Sequence, residues 1–220
     1  MKNNILVRIV VILIIYLGLR YFGGNVGRTI LYPITLLVTF LHEFGHALGA
    51  VLTGGSVQAL QVNQDGSGFT RTIGGSPSII LMGGYIGSAI LGNLLFFLGA
   101  KRPRTAHFTL YVLASLMIIS AFFWFNSLFT TGLLVVFALV LYFIANRRIY
   151  ESEVLMFLGL ASIIYIVQDF NVGPSTDLNA YADLLIFIPA TVWMYIWLGI
   201  VLLLCFANFR MIFKKSRSVN

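Results

Sequence analysis

Apolar residues in this chain neither alternate with polar ones nor recur every third or fourth position; they run on. Seven such runs can be drawn, at about 5–22, 30–53, 78–100, 107–125, 127–146, 154–168 and 184–209. A helix rises about 1.5 Å per residue, so roughly 20 apolar residues cross a hydrocarbon core about 30 Å thick. Inside lipid a backbone must satisfy its own hydrogen bonds, which leaves helices or closed barrels. Barrel strands alternate in polarity, and these runs do not. They predict an all-α polytopic membrane protein, a bundle of about six to seven transmembrane helices. The fourth and fifth runs are parted only by Phe125-Asn126-Ser127, which predicts a tight helical pair. The first run follows Lys2 as a signal sequence would. Its end, Gly18-Leu19-Arg20-Tyr21-Phe22, offers no small-residue cleavage site, so it reads as a retained span.

Two stretches break the apolar pattern. In residues 54–77, Asp65-Gly66-Ser67-Gly68 is a turn signal flanked by short mixed strands at 57–63 and 69–73, which predicts a β-hairpin after the second span. The second stretch, Gln168 to Asp183, holds Asp169, Asp177 and Asp183, three of the chain's seven acidic residues. With no internal repeat, residues 1–220 read as a single membrane-embedded domain carrying the hairpin as an insertion at about 54–77.

Composition supports the same class. Hydrophobic residues make up 59% of the chain and charged residues 10%, against about 25% charged in soluble domains. The mean hydropathy is +0.95. A net charge of +7 would suggest nucleic acid in a soluble protein. Here the basic residues cluster at the ends of apolar runs, where they report orientation instead. On seven alternating spans, one face receives Arg20, Arg28, Lys101, Arg102, Arg104, Arg147, Arg148, Arg210, Lys214, Lys215 and Arg217, and the other receives Lys2, Arg8 and Arg71. That bias puts the C-terminus in the cytoplasm and the hairpin and the 168–183 stretch outside. Cys205 lies within an apolar run and reads as a small packing residue.

The second run contains His42-Glu43-Phe44-Gly45-His46. Residues four apart share a helix face, so His42 and His46 can direct both imidazoles at one zinc ion, while Glu43 is placed to act as a base on water there. The bland alternative is a set of polar side chains facing the bundle interior. Two of the chain's three histidines fall in this motif, and each intramembrane ionisable group costs about 2.5–3.5 kcal/mol on insertion scales. Three within one turn call for a compensating ion. A catalytic zinc takes three protein ligands and keeps one open position. Among the other candidates, His107, Glu151 and Glu153 lie beside basic clusters at the opposite face, and Asp65 has a sufficient role in its turn. Asp169, Asp177 and Asp183 remain open.

The chain resembles the site-2-protease class of intramembrane zinc metallopeptidases, in its compact branch without PDZ or CBS domains. The resemblance rests on His42-Glu43-Phe44-Gly45-His46-Ala47-Leu48 with Thr53-Gly54-Gly55, then on Gly83-Gly84-Tyr85-Ile86-Gly87-Ser88, and then on Ser175-Thr176-Asp177 through Pro189-Ala190-Thr191-Val192-Trp193. It implies one zinc per chain held by His42, His46 and Asp177, with Glu43 as catalytic base. The Asn-Pro-x-Pro-x-x-Asp-Gly setting of larger members is absent, since Leu178-Asn179-Ala180 follows Asp177. An Asp177 that caps the following helix is the competing role. The resemblance also implies zinc and hairpin near the cytoplasmic face, opposite to the charge bias.

These readings predict an intramembrane metalloprotease that hydrolyses a peptide bond of a membrane-protein or peptide substrate in a lipid bilayer. The expected location is the plasma membrane of a prokaryote, with no nucleic-acid partner. The alternative is an inactive metal-binding scaffold of the same fold, against which the presence of Glu43 counts. A metal transporter would distribute ionisable residues along several spans, and runs 78–100, 107–125 and 127–146 hold no acidic residue. Three finer expectations concern packing. The glycines at 83, 84 and 87 with Ser88 permit close helix approach. Pro189 kinks the last span, letting Asp177 reach the depth of His42. Trp193, Tyr195 and Trp197 face lipid or neighbouring helices.

Overall fold

The computed structural model describes residues 5–170, 173–185 and 187–214; Lys2, Lys215 and Arg217 of the charge count lie outside them. Helix α1 (Ile5–Leu17) continues through a π-helical turn at Gly18–Phe22 into α2 (Gly24–Leu52). Strands β1 (Ser56–Val62) and β2 (Gly68–Ile73) follow, then α3 (Pro77–Met82), a second π-helical turn at Gly83–Gly87, and α4 (Ser88–Lys101). The remaining helices are α5 (Ala106–Phe123), α6 (Leu128–Arg147), α7 (Glu151–Asp169), α8 (Thr176–Leu184) and α9 (Ala190–Phe213). Seven helical stretches among the described residues are long and apolar enough to cross a bilayer, and a two-stranded antiparallel hairpin follows the second. The predicted fold class is the observed one.

The motif helix is the centre of the bundle. At 29 residues α2 is about 43 Å long, longer than the hydrocarbon core. Phe40, Leu41, Phe44 and Ala47 on it belong to one buried cluster with Leu110 and Met117 of α5, Leu134 of α6 and Leu155 of α7. Its opposite face carries Gly45 and Gly49. A Cβ on Gly49 would stand 2.9 Å from the Ile79 carbonyl oxygen, and one on Gly45 would collide with the Gly83 carbonyl. Small residues four apart on both partners let these backbones touch, as the glycines at 83 and 87 led one to expect.

The hairpin does not project into solvent. It folds back along α2, with the Tyr32 hydroxyl donating to Gln64 O (2.7 Å), Thr39 to Gly66 O (2.7 Å) and Thr70 to Glu43 O (2.9 Å). Backbone at this depth needs partners, and β1 finds them at the α5–α6 turn: Leu60 N–H donates to Trp124 O (3.1 Å) and Val62 N–H to the Thr130 hydroxyl (3.1 Å). Only the base of the hairpin stands beyond the end of α2.

Two sequence expectations need correction. The last run, drawn as one span over 184–209 with a kink at Pro189, is helical as a span only from Ala190, since Leu184 is the last residue of α8. Pro189 stands immediately before α9 as its cap residue, where a missing N–H costs nothing, so it bounds the span instead of kinking it. The strict alternation of seven spans also fails at α1. Arg8 pairs with Glu153 at 2.7 Å, and Ile9 is buried with Met156 and Ile212. Helix α1 therefore begins at the end of the bundle where α7 begins and α9 ends, so Arg8 joins the basic end, while Arg20, beside Tyr165, and Tyr21, on Gln168, lie towards the other end of α7. The bend is made around the Gly18–Phe22 turn and Gly24, whose φ is 56°.

The hairpin base and the basic 101–104 turn remain at opposite ends, so the positive-inside rule can be tested on them. Cysteines placed singly at exposed Ser56 and Thr105, in a Cys205→Ala background, are expected to react with an impermeant maleimide on intact cells at 56 and not at 105. The reverse pattern would mean the inverted orientation.

Candidate metal centre

His42 and His46 leave α2 one turn apart and meet edge to face, with ring centroids 4.8 Å apart. Their Nε2 atoms lie 3.2 Å from each other. Asp177 Oδ2 completes a triangle, 3.1 Å from His42 Nε2 and 3.2 Å from His46 Nε2. These three residues are the group of side chains among those described that can hold a metal ion. Two imidazole nitrogens and a carboxylate are zinc's ordinary donors, and a tetrahedral ion about 2.0–2.1 Å from each needs them roughly 3.3–3.4 Å apart. The observed edges come within a few tenths of an ångström of that spacing.

Neighbouring groups fit the same purpose. His46 Nδ1 lies 2.7 Å from the Ile80 carbonyl oxygen, which can only accept. Nδ1 therefore carries the proton and Nε2 keeps a free lone pair towards the triangle. Gly84 faces both rings: a Cβ there would stand 2.5 Å from His46 Nε2 and 2.6 Å from His42 Nε2. Only glycine leaves that space open.

Asp177 reaches the histidines from the first turn of α8. The cap of that helix is Ser175, whose hydroxyl accepts from Leu178 N–H at 3.3 Å. Asp177 is thus not the capping residue and its carboxylate is free for the triangle. Burial pushes the Asp177 carboxyl up, but its contacts with the two imidazoles outweigh this and hold it well below the usual carboxylate range.

Glu43 stands outside the triangle and is 5% exposed. Its Oε2 accepts a hydrogen bond from the Thr70 hydroxyl at 2.8 Å, and a Cβ on Gly68 would come within 2.7 Å of its Oε1. Strand β2 thereby fixes the glutamate, a role nothing in the hairpin's sequence announced. Two cavities meet here, both bordered by Glu43, Gly68, Thr176 and Asp177. The smaller, about 180 Å³, has His42, Tyr85, Tyr165 and Asp169 on its wall. The larger, about 610 Å³, runs between β2 and α8 past His46, Thr70, Ile80 and Leu184.

The other acidic and histidine candidates are elsewhere. Asp169 accepts from the Tyr85 hydroxyl at 2.5 Å. Asp183 borders a separate cavity beside Asn179 and Pro189. His107 Nδ1 accepts from Arg148 at 2.7 Å, and Glu153 is paired with Arg8. Glu151 lies in the first turn of α7. Asp65 accepts from the Ser67 N–H and hydroxyl, closing the hairpin turn.

Fold and site together define a multi-pass integral membrane protein with a group able to hold a metal beside a buried glutamate. Against known families, the sequence matches the Peptidase M50B-like family over residues 5–208. The chain belongs to that family, which is the site-2-protease family, and no PDZ or CBS domain interrupts the matched region. No curated protein and no solved structure matches the chain.

Proposed function

We propose that this protein is an intramembrane zinc metallopeptidase that cleaves a peptide bond of a membrane-protein substrate. The observation that carries the reading is the convergence of His42, His46 and Asp177 to 3.1–3.2 Å, with Glu43, held by Thr70, on the same turn and bordering the groove. His42, His46 and Asp177 would hold one zinc, which when bound polarises a peptide carbonyl and acidifies a water. Glu43 would accept a proton on its carboxylate from the water whose oxygen adds to the scissile carbonyl, and would give it to the amine that leaves as the C–N bond breaks. The Thr70 hydroxyl keeps the carboxylate aimed during both transfers.

The larger groove suits an extended substrate. Leu60 and Val62 turn their N–H groups away from β2, towards Trp124 and Thr130. Their register partners Thr70 and Gly68 therefore turn their own backbone groups outward as well. The two-stranded sheet has no further strand among the described residues, so this edge can pair with a substrate strand laid beside Glu43. A substrate helix must unwind to lie there. Family membership supports the reading, as does the bundle's single accessible set of metal donors among the described residues. We place the protein, a single membrane-embedded domain over 1–220, in a prokaryotic plasma membrane.

The test is metal content and cleavage on detergent-purified protein. One zinc per chain is expected, lost together with activity in His46→Ala. Purified protein that holds no zinc with both histidines intact would sink the proposal. Zinc held without cleavage of any membrane protein, in unbiased proteomics of cleavage products, would favour an inactive scaffold.

A further inference from the structure

Two features have no part in the chemistry above: the tyrosine within the Gly83–Gly87 π-helical turn, and Asp169, an acidic residue that is not in the triangle. They are in contact. The Tyr85 hydroxyl donates to Asp169 Oδ2 at 2.5 Å, and Tyr85 is 4% exposed. Its ring stands edge to face on His42, centroids 4.8 Å apart at 88°, and touches Phe170 at 4.9 Å and Trp197 at 5.9 Å. Trp197 is fully buried and is also the surface on which Tyr181 of α8 packs, at 5.0 Å.

Tyr85 thus joins both sides of the triangle. Its ring limits the rotation of the His42 imidazole. Its hydroxyl fixes the last residue of α7, from which the chain leads to α8 and Asp177. Through Trp197 and Tyr181 it reaches α8 a second time. Asp177 comes from 135 residues beyond His42, on a short helix that is not one of the candidate spans. Its approach to the histidines needs an external reference, and the Tyr85–Asp169 pair supplies one.

The geometry points to Tyr85 and Asp169 as positioning residues that act together to set the third ligand and the His42 ring for metal binding. This rests on the peptidase reading of the site. The π-helical turn serves it. Gly83 and Gly87 bring the turn against Gly45 of α2, and Gly84 clears space in front of both imidazoles. The same turn presents Tyr85 beside His42.

The experiment measures zinc affinity of the purified full chain by competition with a chromophoric chelator, and separately the unfolding midpoint of the metal-free protein. Outer partners of metal ligands typically contribute 10–100-fold in affinity. Tyr85→Phe and Asp169→Ala, which remove the donor and the acceptor of the contact, are each expected to weaken zinc binding about tenfold or more, with metal-free unfolding unchanged. The double variant is expected to be no worse than either single one, because one shared contact is lost. Asp169→Asn, which keeps an acceptor oxygen at the same length, is expected to recover most of the loss. Wild-type affinity in Tyr85→Phe, additive losses in the double variant, or a matching fall in metal-free unfolding would each overturn the inference. Wild-type protein that itself holds no zinc would instead overturn the peptidase reading on which it rests.

Discussion

Glu43→Gln is expected to leave zinc in place and to abolish cleavage. Glutamine has the shape of glutamate, and its side-chain oxygen can still accept from Thr70, which now lies 2.8 Å from Oε2. What it lacks is the ability to take a proton. A positioned general base contributes about 10²–10⁴-fold, so cleavage should fall by at least that factor while zinc stoichiometry stays at one per chain. His46→Ala should lose both. The contrast depends on Glu43 standing outside the triangle of His42, His46 and Asp177. If Glu43→Gln lost zinc as fully as His46→Ala, the glutamate would be a ligand and the proposed chemistry wrong. Retained cleavage with zinc bound would show that another group moves the proton.

Thr70→Val probes the same carboxylate from its other side. The substitution keeps the strand and its outward backbone groups and removes the hydroxyl that holds Glu43, so it belongs in the same assay as a milder perturbation of the base.

How much of this was legible beforehand follows from sequence separation. His42 and His46 are four residues apart, and helical periodicity alone puts them on one face. The hairpin was legible because Asp65-Gly66-Ser67-Gly68 is a local turn signal, and the observed strands begin and end within one residue of the expected ones. Continuous apolar runs were enough for the spans. Pro189 was misread because a proline bounds a helix or kinks it according to what precedes it.

The hairpin's return along α2 could not be read from local pattern either. It depends on Tyr32, Thr39 and Glu43 meeting residues 27 to 32 positions later. The Tyr85–Asp169 contact spans 84 residues, and neither residue type signals it. One clue was available in retrospect: Gly83-Gly84-Tyr85-Ile86-Gly87 holds a single large polar side chain among glycines, placed where two backbones touch.

Asp177→Asn is expected to empty the site, whereas Asp183→Asn should leave it full. Asparagine keeps one oxygen near the position of Oδ2 but carries no negative charge, and a neutral amide is a poor zinc donor beside two neutral imidazoles. Removing one of three protein ligands should exceed the 10–100-fold cost typical of an outer partner, so the loss should be at least about 100-fold. Asp183 borders a different cavity and has no reason to matter. Asp169→Ala should fall between them, because Asp169 touches Tyr85 and not the histidines. The ordering of the three variants, measured as zinc affinity of purified protein, separates a ligand from its support and from a bystander. Wild-type zinc affinity in Asp177→Asn would remove Asp177 from the site. It would also leave its contacts with His42 and His46 as no more than an ion pair.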